Sequence, residues 1–308
     1  MMHQTSPRPT RRRRVQLATP GSSEKMMEKA ASSNADHVFL DLEDAVAPNQ
    51  KVAARKKIID ALNHLDWQGK VRCVRINDLS TEYAYEDIIE IVEGAGHNLD
   101  TIMMTKVNGP ADVLFADRLL SMMEKKLRLP RRIGLEALIE EVPGLQNVEA
   151  IAQSTERLEC LIFGMGDFSA AMGVNLESIG NTGGYPGDIW HYARFRLIMA
   201  CRAADIDPVD GPWAEFRDSE GYRNECRRAG TLGCVGKWAI HPSQIEIALA
   251  EFSPDPAKVA QARKLESAYV QAEAEGLGAI NVDGVMVDVA TMRLLRNTVL
   301  KKAQMYGL

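Results

Sequence analysis

Eight short apolar runs that alternate with helical stretches limit most strongly how this 308-residue chain can fold. Each run is too uniformly apolar for a strand with one face in water, so each is expected to be a strand buried on both faces. Strands of that kind form parallel sheets, and eight of them can close into a (β/α)8 TIM barrel, the α/β fold that we predict here. The predicted strands are 15–19, 38–42, 71–76, 101–104, 133–139, 160–164, 207–211 and 234–240.

The chain changes character after this alternating part. Helices are predicted between the strands, over 51–62, 85–95, 111–126, 148–153, 190–203 and 219–232. Beyond His241 the pattern is mostly helical, and Pro254 and Pro256 mark the break. We therefore predict a basic disordered tail over 1–14, a catalytic barrel over 15–253 and a small, mostly helical extension over 254–308.

The first fourteen residues carry five arginines and no acid. A solvated, poorly ordered tail is the first interpretation. An organelle leader is an alternative because such leaders are rich in arginine, but Pro7 and Pro9 argue against the amphipathic helix that a leader needs. A third interpretation is that the arginines help to hold an anionic ligand.

Composition argues against several classes of protein. A net charge of -5 and a pI near 5.8 disfavour nucleic acid or an anionic membrane as the main partner. Five scattered cysteines fit reduced thiols in a cytoplasmic protein better than disulfides or a zinc site. No apolar run approaches the ~18 residues of a membrane span.

Three acids lie within four positions at the end of the second predicted strand: Asp41, Glu43 and Asp44. Carboxylates crowded at the end of a buried strand repel one another and need a cation or a basic partner. The segment is therefore a candidate metal or catalytic site. A strand that simply runs out into a solvated acidic turn is the alternative.

Further charged residues lie at or near the ends of the other predicted strands, where a barrel concentrates its chemistry. Oxygen ligands without histidine or cysteine clusters suit Mg²⁺, and Glu140 and Asp167 are the pair that we choose as direct ligands. Arg75, Lys106 and Lys237 could instead be ion-pair partners only. Four other polar or charged residues lie in or after these strands: Asn77, Glu136, Asp210 and His241. Glu136 could form a polar layer inside the barrel, and His241 could be a structural cap.

Glycines near the first strand also suggest a ligand. Gly21 and Ser22 follow that strand and open a helix whose backbone N–H groups could bind a phosphate or carboxylate, although a plain capped helix start is equally compatible. The chain has no dinucleotide-binding, P-loop or serine-hydrolase motif.

In order and spacing, six motifs resemble the citrate lyase β-subunit-like (HpcH/HpaI aldolase) family, and most of all its malyl-CoA/β-methylmalyl-CoA lyases. The resemblance runs from about Arg14 to the C-terminus. The motifs are LDLEDAVAP from residue 40, VRIN from 74, KV from 106, LIE from 138, GMGD from 164 and GKWAIHPSQ from 236.

The resemblance implies a lyase that needs Mg²⁺, with Mn²⁺ as a substitute, and that reversibly splits a 3-hydroxyacyl-CoA such as malyl-CoA into acetyl-CoA and glyoxylate. Such a cleavage generates an enolate, whose charge requires a fixed cation, and a carboxylate that exchanges a proton with the acyl carbon. The family pattern implies a homotrimer or homohexamer in which the C-terminal extension covers a neighbouring subunit's site. It assigns Glu140 and Asp167 to the metal, Glu43, Arg75 and Asp288 to catalysis, Asp41 and Asp44 to support of the ligands, and Lys29, Ser22 and Arg14 to CoA.

Departures from the family pattern leave other activities open. Ala18 replaces a common aromatic, Ser23 replaces a common arginine, and the segment 180–188 is shorter than in many relatives. Glyoxylate is favoured as the oxo acid, with pyruvate from citramalyl-CoA as the alternative. A malyl-CoA thioesterase, a class II aldolase that does not use CoA, and a non-catalytic binding or regulatory protein are the other hypotheses.

Overall fold

A closed barrel of eight parallel strands forms the first of two compact units in the computed structural model, which describes residues 8–183, 185 and 187–308. Each strand pairs with the next in the sequence, and the eighth closes the barrel on the first. The strands are β1 (Val15–Pro20), β2 (His37–Asp41), β3 (Val71–Arg75), β4 (Thr101–Met104), β5 (Gly134–Ile139), β6 (Leu158–Phe163), β7 (Asp207–Asp210) and β8 (Gly236–Ala239). The predicted (β/α)8 fold is confirmed.

Helices follow the strands, as the alternation of the sequence predicts. They are α1 (Glu24–Ala31), α2 (Lys51–His64), α3 (Ala84–Ala95), α4 (Pro110–Leu127), α5 (Val142–Gln146), α6 (Val148–Ala152), α7 (Met165–Ala171), α8 (His191–Ala203), α9 (Ser219–Leu232) and α10 (Ile245–Phe252). Two short helices, α5 and α7, have no counterpart among the predicted helices, and each follows the end of a strand within three residues.

Two apolar layers hold the barrel together, because each strand is buried on both faces. One layer fills the space between strands and helices, and it includes Leu40, Ile58 and Ile88. The other fills the middle of the barrel interior, where the packed side chains are Phe39, Cys73, Met103, Leu138, Cys160, Ile162, Val209 and Trp238. All five cysteines are buried and unpaired, as reduced thiols would be.

The chain before β1 corrects the prediction of a disordered tail over 1–14. Residues 1–7 lie outside the described part, but Arg8, Arg11 and Arg13 all bond to groups at the N-terminal end of the barrel. Arg13 is 2% exposed and its guanidinium contacts the carboxylates of Glu136 and Glu159 at 3.2 and 2.9 Å. The arginines are ordered because buried carboxylates of the barrel need positive partners.

The second unit comprises residues 253–308. It contains α11 (Pro256–Ala274), an antiparallel hairpin of β9 (Ala279–Val282) and β10 (Val285–Asp288), α12 (Val289–Leu295), a π-helical turn (Arg296–Leu300) and α13 (Lys301–Tyr306). It has a small core of its own, in which Tyr269, Val287 and Met292 pack together. Among the described helices of the whole chain, none is both long and apolar enough to cross a bilayer.

Candidate active site

The C-terminal ends of the barrel strands surround a cavity of about 410 Å³. Charged side chains from β2, β3, β5 and the segment after β6 line it. We call the charged group at this end the mouth cluster, defined as Asp41, Glu43, Arg75, Lys106, Glu140 and Asp167. The cavity's charged lining residues are Asp41, Asp44, Arg75, Glu140 and Asp167.

Asp41 and Arg75 form the rigid centre of this cluster. They are the last residues of the paired strands β2 and β3, so they lie side by side. Two parallel hydrogen bonds of 2.7 and 2.6 Å join the guanidinium of Arg75 to the carboxylate of Asp41. The guanidinium also lies 5.6 Å from the ring centre of Phe39 and 5.5 Å from that of Trp238. Burial would raise the pKa of Asp41, but Arg75 outweighs it and lowers that pKa. Both groups therefore stay charged.

Lys106 joins the other acids. It follows β4 with a φ of +48°, a left-handed conformation that is costly for a lysine and is typical of functional sites. Its ammonium lies 2.6 Å from Glu43 Oε1 and 3.9 Å from Asp167 Oδ2. Its backbone N–H donates to Glu140 Oε1 at 2.9 Å. One residue thus contacts three carboxylates.

Glu140 is held in a narrow space immediately after β5. A Cβ at position 164 would lie 2.6 Å from Glu140 Oε2, so a glycine is needed there for the carboxylate to fit. Burial raises the pKa of Glu140 well above its usual value, and the negative charges of Glu43 and Asp167 raise it further. Additional positive charge near this carboxylate would therefore stabilise its ionised form.

The donor set at the mouth fits a hard divalent cation. Four carboxylates of the mouth cluster face two cationic side chains. Glu43 Oε2 is buried and accepts no hydrogen bond in the described structure, although it lies 3.0 Å from Arg75 Nη1. Glu140 and Asp167, with Glu43 beside them, could hold such an ion. Asp44 is exposed at the rim, where its charge raises the pKa of Glu43, which burial already raises.

A second pocket, of about 550 Å³, adjoins the first. The two share Ala18, Pro20 and Ile240, and the second extends along α1 to Lys29, whose side chain is exposed. Ser22 lies in the turn before α1, where its carbonyl accepts from Lys57 at 3.0 Å. It is not among the lining residues of this pocket.

Arg14 is a correction to the predicted CoA contacts. It precedes β1 and so lies at the N-terminal end of the barrel, opposite the mouth. Its guanidinium contacts both carboxylate oxygens of Asp36 at 2.7 Å. The motif match extended to this residue, but the direction of the strand places it on the wrong face.

Asp288 belongs to the second unit, where it ends the hairpin and caps α12. Its Oδ1 accepts from the backbone N–H and the hydroxyl of Thr291 at 2.8 and 2.9 Å, and these bonds lower its pKa. Within its own unit it thus has the structural role of a helix cap.

The segment 180–188, which the sequence analysis compared with the family pattern, contains Gly184 and Pro186, and these two residues lie outside the described part of the chain.

Other residues that the sequence placed at strand ends are engaged elsewhere. Asp210 and Lys237 form a buried ion pair, and Arg194 of α8 bonds to Asp210 at 2.9 Å. His241 caps the turn after β8 by accepting from the backbone N–H of Ser243 at 3.2 Å. These side chains hold the barrel wall and its loops.

The floor of the barrel contains a second charged group. We call it the floor cluster: Arg11, Arg13, His37, Glu136 and Glu159. His37, Cys73 and Glu136 are close enough together to suggest a metal site. Glu136 already accepts hydrogen bonds from Arg13, His37, Gln16 and Thr101, however, so its carboxylate is engaged in an ion network, while His37 Nδ1 has no hydrogen-bond partner among the described residues.

Two features of the site were missed from the sequence. Trp238 lies within the GKWAIHP motif but was not assigned a role, and it packs on Arg75. Lys51 begins α2 and donates to two backbone carbonyls of the acidic turn. A lysine in the first turn of a helix opposes the helix dipole, and this was the signal that could have revealed it.

Comparison with known proteins agrees with this geometry. Residues 14–242 match the HpcH/HpaI aldolase/citrate lyase family. An L-malyl-CoA/β-methylmalyl-CoA lyase of Rhodobacter capsulatus is 42% identical over 93% of each chain. A malyl-CoA/β-methylmalyl-CoA/citramalyl-CoA lyase of Chloroflexus aurantiacus is 31% identical over 97% of this chain and 93% of its own length.

A solved structure has a similar fold. Protein CitE of Mycobacterium tuberculosis, crystallised in complex with magnesium, acetoacetate and coenzyme A, is 28% identical. It superimposes with a TM-score of 0.74 over 94% of this chain and 97% of the other. Sequence and fold agree over nearly the full length, so the chain belongs to the HpcH/HpaI aldolase/citrate lyase family and is an enzyme of its carbon–carbon lyase type.

Proposed function

We propose that the protein is a Mg²⁺-dependent CoA-ester lyase that reversibly cleaves L-malyl-CoA or β-methylmalyl-CoA to glyoxylate and acetyl-CoA or propionyl-CoA. The observation that carries the proposal is the mouth cluster, in which Glu43, Glu140 and Asp167 converge beside the fixed guanidinium of Arg75. The 42% identity to a malyl-CoA lyase supports the choice of substrate.

Glu140 and Asp167 are the proposed metal ligands, and Glu43 and Asp44 would hold water around the ion. When bound, Mg²⁺ would supply Lewis-acid polarisation of the oxo-acid carbonyl. The pocket along α1 is the proposed site of the CoA moiety, with Lys29 as a contact for its phosphates. Ala18 and Ile240, which line both pockets, would lie along the acyl chain between the two.

In the condensing direction, Asp288 would take a proton from the acetyl methyl group. The resulting enolate carries its negative charge on the thioester oxygen, where the permanently charged Arg75 would stabilise it. The enolate carbon attacks the aldehyde carbon of glyoxylate, and the new alkoxide takes a proton from solvent. Cleavage reverses these steps, with Asp288 returning the proton to the acyl carbon.

Asp288 is proposed to act on the mouth of a neighbouring subunit in a homotrimer or homohexamer. Three exposed apolar residues near Asp288 in its own unit support a role at an interface: Met286, Val289 and Leu294 are 66%, 70% and 64% exposed. Exposed apolar side chains clustered around a polar group are typical of interaction sites.

A screen of three substrates tests the proposal. Malyl-, β-methylmalyl- and citramalyl-CoA are incubated with Mg²⁺, and free thiol, acyl-CoA and oxo acid are followed together. The lyase predicts glyoxylate and acetyl-CoA in equal amounts, with no free thiol. Free CoA with malate would indicate a thioesterase instead, and pyruvate from citramalyl-CoA would widen the specificity to that of the Chloroflexus relative. No turnover of any ester, with Asp167→Asn as the inactive control, would overturn the proposal.

A further inference from the structure

Lys51 lies at a position where the helix dipole disfavours a lysine. It is the first residue of α2, which directly continues a 3-10 turn over Pro48–Gln50, and neither element has an acid in its first turn. A positive charge at this end of a helix is repelled by the helix dipole. Residues that oppose their local preference usually do so for a reason elsewhere in the structure.

The ammonium of Lys51 turns back to the acidic turn that follows β2. It donates to the carbonyl oxygens of Leu42 and Glu43 at 2.9 and 2.8 Å, and to Asn77 Oδ1 at 2.6 Å. An ammonium has three donors, so all three are used. Without it, two backbone carbonyls and the side-chain oxygen of the buried Asn77 would lose a charged partner.

Asp41 holds the same turn from the inner side. Its carboxylate accepts from the backbone N–H groups of Glu43 and Ala45, both at 2.9 Å. Lys51 therefore binds the carbonyls of this turn while Asp41 binds its amides. Between them, the two side chains fix the backbone that carries Glu43.

Buried partners anchor Lys51 in turn. The side-chain amide and the backbone N–H of Asn77 donate to Asp87 Oδ2 at 2.7 and 3.0 Å, and Arg55 donates to Asp87 Oδ1 at 2.8 Å. Asn77, Asp87 and Arg55 are 2%, 0% and 0% exposed. The chain of bonds ties the acidic turn to α2 and α3 and leaves it little freedom.

We propose that Lys51 is a positioning residue that sets the place of Glu43 in the mouth cluster through the backbone of the acidic turn. The inference rests on the proposed function, since it is through Glu43 that Lys51 would influence metal binding and turnover. Partners that orient metal-site residues from outside typically matter 10–100-fold for affinity or activity.

Lys51→Met tests this, with Lys56→Met as the matched control. Lys56 lies on the same helix, its side chain is 81% exposed, and it pairs with Asp60 one turn on. Mn²⁺ affinity is measured by electron paramagnetic resonance without substrate, and kcat and KM are measured separately. Because Lys51 acts through Glu43, which is not a proposed ligand, we expect Lys51→Met to weaken Mn²⁺ binding and to lower kcat several-fold, by no more than Glu43→Gln does. The KM for the CoA ester should be unchanged, and Lys56→Met should change none of these values.

A conservative and a second-site variant keep the test decisive. Lys51→Arg should restore part of the Mn²⁺ affinity, and Asn77→Ala should lower it in the same direction as Lys51→Met. If Lys51→Met unfolds, these two variants carry the test. Equal Mn²⁺ affinities for the Lys51 and Lys56 variants would overturn the role of Lys51. Normal Mn²⁺ binding without turnover in the wild type would overturn the proposed reaction instead.

Discussion

Glu136 lies within β5 and Glu140 directly follows it, four positions on; both are buried, yet their surroundings are opposite. Glu136, in the floor cluster, bonds to Arg13 at 3.2 Å and to His37 at 3.0 Å. Burial would raise its pKa, but His37 and Arg13 outweigh burial and hold that pKa well below its usual value. For Glu140, in the mouth cluster, burial raises the pKa well above the usual value, and the negative charges of Glu43 and Asp167 raise it further.

The difference shows which end of the barrel is built for a ligand. A buried charge whose partners are complete contributes to the fold and has no vacancy to fill. A buried charge that is left with like charges costs stability, and it persists where a ligand or a reaction uses it. Glu136 in the floor cluster is of the first kind, and Glu140 in the mouth cluster is of the second.

The largest expected effect is that of Glu140→Gln. Losing a metal ligand should lower kcat/KM for malyl-CoA by about 10³-fold or more, because several kcal/mol of stabilisation of the developing charge depend on the ion. The same change removes a repelled charge, so the melting temperature in EDTA should stay the same or rise. Kinetics and calorimetry measure the two effects. A variant that loses stability in EDTA would contradict the contrast between mouth and floor.

Asp288→Asn should lower kcat by about 10²–10⁴-fold, the usual contribution of a general base. Asparagine also caps helices well, so the thermal stability should change little. Mn²⁺ affinity should be unchanged, because the proposed ligands all belong to the mouth cluster.

Mixing subunits tests whether Asp288 acts on a neighbour. Asp288→Asn and Arg75→Ala chains are each expected to be inactive alone. Co-refolded, they should recover activity at sites that combine an intact Arg75 with an intact Asp288. Absence of recovery in verified mixed oligomers would place both residues in the same chain's site.

Glu136→Gln should show the opposite pattern to Glu140→Gln. Removing one partner of a buried ion network leaves Arg13 with incomplete compensation and costs about 3 kcal/mol of unfolding free energy. Mn²⁺ affinity of the folded protein should be unchanged. Glu149→Gln is the control, since Glu149 pairs with Arg196 at the surface and its side chain is 52% exposed. We expect that control to stay within about 0.5 kcal/mol.

The two glutamates should also respond to pH with opposite signs. Glu136 has a lowered pKa, so its stabilisation is present above the unfolded value near 4.5 and is lost as the pH falls below it. Glu140 has a raised pKa without metal, so stability falls as the pH rises above about 4.5. Urea unfolding in EDTA between about pH 3 and 8 covers both ranges and measures this. Glu140→Gln should remove the loss at higher pH, and an unchanged profile would refute the assignment.

The barrel was predictable because strands buried on both faces leave a direct mark in the sequence. Strand ends then identified Asp41, Arg75 and Glu140 as members of one site. The contacts of a side chain depend on which end of the barrel it lies at, and this was not predictable for Arg14. Its place beside a motif does not say whether it lies at the end of the strand that faces the ligand. The ordering of Arg13 likewise depends on Glu136 and Glu159, which are more than 120 positions away.

The smallest expected effects are those of substitutions at Glu43 and Asp44, in the acidic turn after β2, compared with a substitution at the proposed ligand Asp167. Glu43 contacts Lys106 and Arg75 and lies beside the proposed metal ligands, so Glu43→Gln should weaken Mn²⁺ binding several-fold without abolishing it. Asp44→Asn, at the exposed rim, should change it less than twofold, because solvent screens its charge. Asp167→Asn, measured in parallel by Mn²⁺ titration and initial rates, should nearly remove activity. If Glu43→Gln lowers Mn²⁺ affinity and activity more than Asp167→Asn does, the metal site would have to be reassigned from Glu140 and Asp167 to the turn after β2.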